Sequence, residues 1–487
     1  MFPAAIQWTT WPAFYYFIGH ATALAACKEN VTSEIASSNI YGKGEPKQGW
    51  TTSPSGRGTT DIVWSSVFTS FLCCWSTLCI NVAGRQDTQW TVLKRKCLLA
   101  TLTLFAPEVM CVTALAQYVS ASRSVKEFSA AGISDWTMRN AFVADMGGFL
   151  LLSRDWVPFS INAKQLFWLI QHGYLAVPTA EVKSIQDKNK VDGFMRLVMA
   201  MQTIWFCVNI VGRLAQGLAV TAIEVTTVAF IYCGLITMFL WRHKPADVGT
   251  PETLHTSATM AEILIAGGYV AREPYRQTPL DFVGYDEWAW SRYLAHLRHT
   301  FPDRIGSGRV PSDHISSMTT PEIPFWMFRI GTLATMGYCC IFVPAWKSSF
   351  PTSIEQLLWR AATGCCLATL VAGSLLTDWI FYLWPVINRR WMAAGNEHGQ
   401  PHSPDQNQGC HKRPERRTIW DRIRNNSPTK DPRLTIPLKA IIPFWVLTLL
   451  YAICRTYILV EDFLELRSLP LSAFESVEWS EVLPHFD

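Results

Sequence analysis

The sequence predicts an all-α protein, a polytopic bundle of transmembrane helices with about eight spans, seven to nine being compatible with the pattern. Three observations predict it. Charged residues make up 16% of the 487 positions, whereas soluble domains carry about 25%. The chain has 22 Trp and a mean hydropathy of +0.13. Its apolar residues are also gathered into long runs instead of being spread as a soluble core would need. A net charge of +4, scattered along the chain, does not indicate a nucleic-acid partner. The same composition excludes disorder, collagen and a disulfide-rich secreted scaffold.

The first 26 residues form an apolar segment, Trp11 to Ala26, ending in Ala23-Leu24-Ala25-Ala26 before Cys27. This resembles a signal-peptide cleavage site without the basic leading region, so a cleaved signal and an uncleaved first span are both compatible with it. Residues 27–60 form a polar N-terminal region carrying the sequon Asn30-Val31-Thr32, which makes Asn30 a glycosylation candidate. Five apolar runs follow within 61–241, at 61–82, 97–119, 141–159, 196–214 and 218–241, each near the length that crosses a bilayer. The run at 141–159 is interrupted by Asp145, Gly147 and Gly148, and a re-entrant or interfacial segment is the alternative there. A polar loop, 242–322, has short helical patterns at Ser257–Ala271 and Glu287–Thr300. Two spans, 323–343 and 361–384, come next. A linker rich in Gly, Pro, Asn and charge fills 385–437, before a last span at 438–458 and a tail to residue 487.

Basic residues collect in loops that stay in the cytosol. Here they are Arg85 with Lys94-Arg95-Lys96, Lys183 with Lys188 and Lys190, Arg242-His243-Lys244, and Arg389-Arg390. Eight alternating spans put all four clusters on one side and both termini in the lumen. Asn30 is then glycosylated, while a second sequon at Asn425 stays bare.

The cysteines fall mostly inside the runs, as adjacent pairs such as Cys73-Cys74 and Cys365-Cys366, and read as small packing residues. His296 with His299 and His398 with His402 have chelating spacing but no further ligands nearby, so no metal site is expected. Phosphate-binding glycine loops, nucleophile elbows and zinc-protease motifs are absent from the sequence. So are clustered-carboxylate motifs that hold magnesium against a diphosphate. No cofactor is expected.

Ionisable residues inside spans are costly and each needs an explanation. Glu108 follows Pro107 in the second run, Asp145 lies in the third, Glu224 in the fifth and Asp378 in the seventh. In the fourth, Gln202, Trp205, Asn209 and Arg213 share a helical face. Arg455 precedes Glu461 and Asp462 near the end of the last. The topology puts Asp145, Asn209, Arg213, Glu224, Arg455 and Glu461 in the lumenal half, as one polar cavity or as structural pairs, Arg213–Glu224 and Arg455–Glu461. A carboxylic acid among apolar neighbours holds its proton and can donate it, which suits Glu108 and Glu224. Trp136, Trp156, Trp168, Trp205, Tyr232 and Trp379 offer faces for a cation, or serve as an interfacial belt.

At these positions the chain resembles a large family of fungal polytopic membrane proteins. The matching stretches include Thr59-Thr60-Asp61-Ile62-Val63-Trp64-Ser65, Ala106-Pro107-Glu108, Ala144-Asp145-Met146-Gly147-Gly148-Phe149 and Gln202-Thr203-Ile204-Trp205. Arg213 to Leu218, Glu224-Val225-Thr226-Thr227, Trp241 to Val248 and the ending Trp479 to His485 match as well. The family includes the membrane-bound terpene cyclase of ascofuranone-type meroterpenoid biosynthesis. The resemblance implies protonation of an epoxidised prenyl chain on an aromatic ring, followed by internal capture of the cation. It implies a multi-pass protein of the endoplasmic reticulum taking a hydrophobic prenylated substrate from the bilayer. Glu108 or Glu224 would supply the proton, and Asp145 would orient the substrate or remove the last proton. Trp205 would line the cation path, with Asn209, Arg213 and Arg455 binding polar groups. The competing expectation is a transporter or ligand-binding protein without catalytic activity.

Overall fold

A computed structural model describes residues 45–52, 56–85, 87–178, 191–246, 250–268, 277–284, 311–317, 323–379 and 438–479, with isolated residues between them. For 191–195 and 438–441 the backbone alone is described. The apolar segment 1–26, both sequons, the four loop histidines, the basic residues at 183–190 and 389–390, and the linker 385–437 lie outside the described residues.

Helices begin where the chain supplies a cap. In α1 (Thr59–Ser76), Asp61 reaches back to accept the Gly58 N–H at 2.8 Å. Thr88 caps α2 (Gln89–Phe105). Pro107 then opens α3 (Pro107–Ala130). Proline has no N–H to continue α2 and excludes helical backbone from the residue before it. Ala106 accordingly sits at φ −143°, ψ 71°, and the two helices meet at 114°. The span expected over 97–119 is therefore a sharply bent pair, because Pro107 interrupts it.

The run at 141–159 is not a helix either. α4 (Met138–Asp145) closes after eight residues, and its end is set by glycine. Gly147 adopts φ +81°, and the Gly148 N–H donates back to the Val143 carbonyl at 2.9 Å. The chain then enters β2 (Phe149–Leu152) and returns in β3 (Phe159–Ile161). After α5 (Ala163–Gln171), α6 (Val191–Ala215) and α7 (Ala222–Leu240), β4 (Glu252–His255) pairs in parallel with β2. The sheet order β3-β2-β4 thus joins a segment expected to span with one from the polar loop 242–322. With α4, α5 and α8 (Met260–Ala266) it surrounds a core containing Phe128, Trp136, Phe142, Phe149, Phe159, Leu166 and Trp241. This layer sits beyond the C-terminal end of α7.

Five helices are long and apolar enough to cross a membrane: α6, α7, α9 (Phe325–Cys340, extended by its following turn), α10 (Ser353–Asp378) and α11 (Leu438–Leu464). The bent α2–α3 pair would be a sixth if counted as one span. α10 and α11 expose apolar faces, including Ile354, Leu357, Leu375, Trp445, Val446, Leu449 and Ile453, which a lipid phase would cover. α7 is the central helix and its length gives a depth scale. At its N-terminal end Ala222 meets Glu465, then Thr226 meets Asp462, and Arg455 lies over Phe230. Farther along, Cys111 donates to the Cys233 carbonyl, and Lys244 beyond the C-terminus meets Gln117. α3 therefore starts at mid-depth and runs parallel to α7, while α11 runs antiparallel to it. At the N-terminal end of α7, β1 (Lys47–Gln48) pairs antiparallel with β5 (Leu469–Pro470), bringing the two ends of the described chain together.

Candidate functional site

The mid-depth centre is assembled from the bend and from one face of α11. Glu108, in the first turn of α3, is 3% exposed. Its Oε1 accepts a hydrogen bond from the Tyr451 hydroxyl at 2.6 Å, and its Oε2 is buried with no partner among the described residues. Arg455, 1% exposed, donates from Nε to the Phe105 carbonyl at 3.2 Å, one of the carbonyls left open where Pro107 ends α2. Its guanidinium lies over Phe230, Tyr338 and Phe342, at 5.4, 5.6 and 5.5 Å from the ring centroids. Both Nη atoms and the Tyr338 hydroxyl are buried without hydrogen-bond partners among the described residues. Asp462, two turns along α11, accepts from Thr226 at 3.0 Å. A buried polar group without a partner loses its hydration for nothing in return, so so many in one place mark a site or a stored cost.

The expected pairing of Arg455 with Glu461 is not found, and three aromatic rings occupy its surroundings instead. Sequence reasoning missed Tyr451, Tyr338, Phe230 and Phe342. Part of the signal was readable: Arg455, Ile458, Asp462 and Glu465 recur at helical spacing as one buried face of α11 and its following turn, with the half-buried Tyr451 one turn before them. The aromatic partners come from other helices, and nothing local marks them.

Glu224 has a different setting. It closes a capping box on α7, its Oε2 accepting from the Thr221 N–H at 2.9 Å and hydroxyl at 2.8 Å, while Oε1 pairs with Arg57. Both of its oxygens are engaged, one by Arg57 and the other by the cap donors of Thr221, so the geometry gives Glu224 a structural setting in place of the expected open acid. The expected Arg213–Glu224 pair is replaced by Arg57–Glu224. Arg213 donates to the carbonyls of Ala219, Ser472, Ala473 and Glu475, clamping the C-terminal segment across the end of α6 and α7. It has no face left for a ligand.

Asp145 does not share this half of the molecule. It ends α4 and accepts from Ser120 at 2.8 Å and from the Ala163 N–H at 3.1 Å, at the C-terminal end of α7. Trp205 is 58% exposed and packs on Trp479 at 5.8 Å, and Asn209 donates to the Trp205 carbonyl. Both lie on the outside of α6, so neither lines the centre. Trp136 is bound to Ser124 and stacked on Phe128 within the sheet layer; Asp378 pairs with Arg329. The single polar cavity expected in one half is thus two separate ends and a small centre at mid-depth. The reason is that Asp145 follows α3, which runs parallel to α7 and finishes at the C-terminal end of that helix.

A second buried cation lies near Asp145. Lys244, 2% exposed, donates to Gln117 at 2.8 Å and Asn81 at 3.3 Å and lies 4.4 Å from the Trp241 ring centroid. Burial pushes its ammonium down to about 8, against smaller opposing pulls from Cys79 and Asp145. Asn81 and Gln117 in turn hold the segment Ile315 to Ser317. The geometry is that of a lock between layers.

Residues 35–266 match a family of unknown function (DUF8562), under half of the chain. No curated protein and no solved structure matches. The matched stretch contains α1 to α8 and part of the mid-depth centre, Glu108 and Phe230, but not α11.

Proposed function

We propose that the protein is a membrane-bound terpene cyclase of the isomerase class, acting on an epoxidised prenyl chain carried by an aromatic precursor of fungal secondary metabolism. The observation that carries this reading is Glu108: a carboxyl at mid-depth, one oxygen bound by Tyr451 and the other without a partner, beside a buried guanidinium. Glu108 Oε2–H donates its proton to the epoxide oxygen as the carbon–oxygen bond breaks, leaving a hydroxyl and a carbocation. A nucleophilic oxygen or alkene of the same molecule attacks that cation and closes the ring. The proton released in the last step returns to the carboxylate, so the product is an isomer of the substrate.

Two residues support the acid during this cycle. The Tyr451 hydroxyl keeps donating to Oε1, and the nearby positive charge of Arg455 stabilises the carboxylate left after proton transfer. Asp145, expected as the second acid–base group, is not part of the scheme because its oxygens serve Ser120 and Ala163 at the other end of α7. The aromatic rings around Arg455 are already occupied by that cation, so they hold Arg455 and do not form the carbocation path. The family resemblance, the apolar surface and an endoplasmic reticulum membrane as the source of a prenylated substrate are mutually consistent.

The test is turnover of a farnesyl-phenol epoxide by microsomes or nanodiscs holding the full chain, followed as a cyclised product of unchanged mass. Glu108→Gln is expected to lower kcat by about 10²–10⁴-fold while substrate binding persists, the range for loss of a general acid. Tyr451→Phe is expected to lower it less. A folded Glu108→Gln variant with full turnover would remove Glu108 as the acid; solute flux in proteoliposomes without cyclisation would establish the transporter reading instead.

A further inference from the structure

The acid chemistry draws on the charge of Arg455 and leaves most of its hydrogen-bond donors without a role. Arg455 has a planar guanidinium with five N–H donors, and among the described residues only the one at Nε finds an acceptor. Phe230, Tyr338 and Phe342 lie around it, and the Nη1–Nη2 edge is buried with no acceptor among the described residues. The Tyr338 hydroxyl, on one of the same rings, is also buried without a partner. No ion pair joins Arg455 to Glu108, Glu461 or Asp462, all described residues, within 4.0 Å; Glu108 is bound to Tyr451 and Asp462 to Thr226.

We infer that Arg455 and Tyr338 form a carboxylate-binding site, so that the ligand of this centre carries a carboxylate on the part of the molecule that enters with, or next to, its prenyl chain. Two parallel N–H donors at one edge of a guanidinium match the two oxygens of a carboxylate, and the Tyr338 hydroxyl adds a third donor. A phenol fits less well. It stays protonated near neutral pH and offers one oxygen, which cannot fill both Nη atoms and the tyrosine hydroxyl. A neutral ester or ether supplies no charge to set against the buried guanidinium. Arg455 thereby acts as the specificity-determining residue of the centre whose acid is Glu108, and this assignment rests on reading that centre as a ligand site.

The full chain in nanodiscs is titrated with radiolabelled 3-farnesylbenzoate, its methyl ester and 3-farnesylphenol. The acid is expected to bind at least about 10-fold more tightly than the ester or the phenol, as charge-assisted hydrogen bonds in a desolvated site do. Arg455→Met is expected to erase the preference, and Arg455→Lys to keep a part of it, since a point charge replaces the fork. Tyr338→Phe, which removes an unpaired hydroxyl and preserves the ring, is expected to weaken the acid about 3-fold and leave the ester unchanged. Equal binding of acid and ester by the unaltered protein overturns the proposal, as does a phenol bound as tightly as the acid, or a preference surviving in both Arg455 variants. The wild-type comparison and Tyr338→Phe keep the test decisive where Arg455→Met does not fold. Preferred binding of the acid without cyclisation of its epoxide would sink the cyclase reading alone; equal turnover of acid and ester epoxides would sink the carboxylate site alone.

Discussion

Glu224 and Lys244 are both buried and ionisable, yet they are expected to respond to substitution in different ways. Glu224 stands about 24 Å from the C-terminal end of α7 at 1.5 Å per residue, and Lys244 lies beyond that end. Glu224→Gln leaves Arg57 facing a neutral amide in a buried setting and removes the charged half of the α7 cap. Breaking a buried pair from one side costs about 3–5 kcal/mol, and the exposure of Arg57 places this case at the lower end. Denaturant titration in detergent micelles should show the loss, with substrate turnover per folded molecule near normal. Lys244 has its folded-state value at about 8, below the ordinary 10.5 of a lysine. The folded state binds its proton less tightly than the unfolded chain, so the burial penalty is fully present below pH 8 and fades as pH rises toward 10.5. Subtracting the unfolding free energy of Lys244→Met from that of the unaltered protein should therefore give a difference that climbs between pH 8 and 10.5 and is flat below 8. A difference flat across that whole window would show that Lys244 titrates normally. The roles of Glu108 and Arg455 as polar residues in apolar runs were legible in the sequence, because charge in a span is rare enough to stand out. Their separate settings were not, since Arg57 reaches Glu224 from 167 positions away and Tyr451 reaches Glu108 from 343.

At the scale of elements, glycine and proline decide which apolar runs become spans. A Cβ at Gly148 would stand 2.7 Å from the Val143 carbonyl oxygen, which is part of the turn ending α4. Gly148→Ala is expected to destabilise the sheet layer by about 1–3 kcal/mol, the ordinary cost of overpacking, seen as a lower melting temperature. Pro107→Ala restores an N–H and removes the restriction on Ala106, so α2 and α3 are expected to straighten. Glu108 would then leave Tyr451, and turnover should fall as far as in Glu108→Gln with the protein still folded. Retained turnover in Pro107→Ala would show that the bend does not position the acid. Hydropathy weighs residues one at a time, which is why it reads 97–119 and 141–159 as spans. The interruption at Asp145, Gly147 and Gly148 was visible and pointed to a re-entrant or interfacial alternative. Pairing of β2 with β4 was not, because its partner lies about a hundred positions on, in a loop with no strand pattern of its own.

For the whole molecule, three of the eight expected runs are not among the five straight helices long and apolar enough to cross: α1 over 61–82, the bent α2–α3 pair over 97–119, and the run at 141–159. α7 itself fixes the two ends, so the end carrying Glu224 and both described chain ends lies opposite the end carrying Lys244 and the sheet. With the basic loops taken as cytosolic, a sequon introduced near residue 476 is expected to be glycosylated and one introduced at 132–134 to stay bare. Glycosidase shifts on a gel would show the reverse if the orientation were inverted. Asn30 should be modified alongside the first. The sequence by itself determined that this is a helical membrane protein and which few charges lie within its apolar runs, because transfer of side chains from water to lipid is a local, additive quantity. Tertiary structure alone decided which apolar runs form straight helices, which carboxylate is capped and which is left with an open oxygen among the described residues, and what surrounds Arg455. Those outcomes depend on hydrogen bonds and ring contacts between helices far apart in the chain, and a buried polar group takes its properties from the partners that folding brings to it.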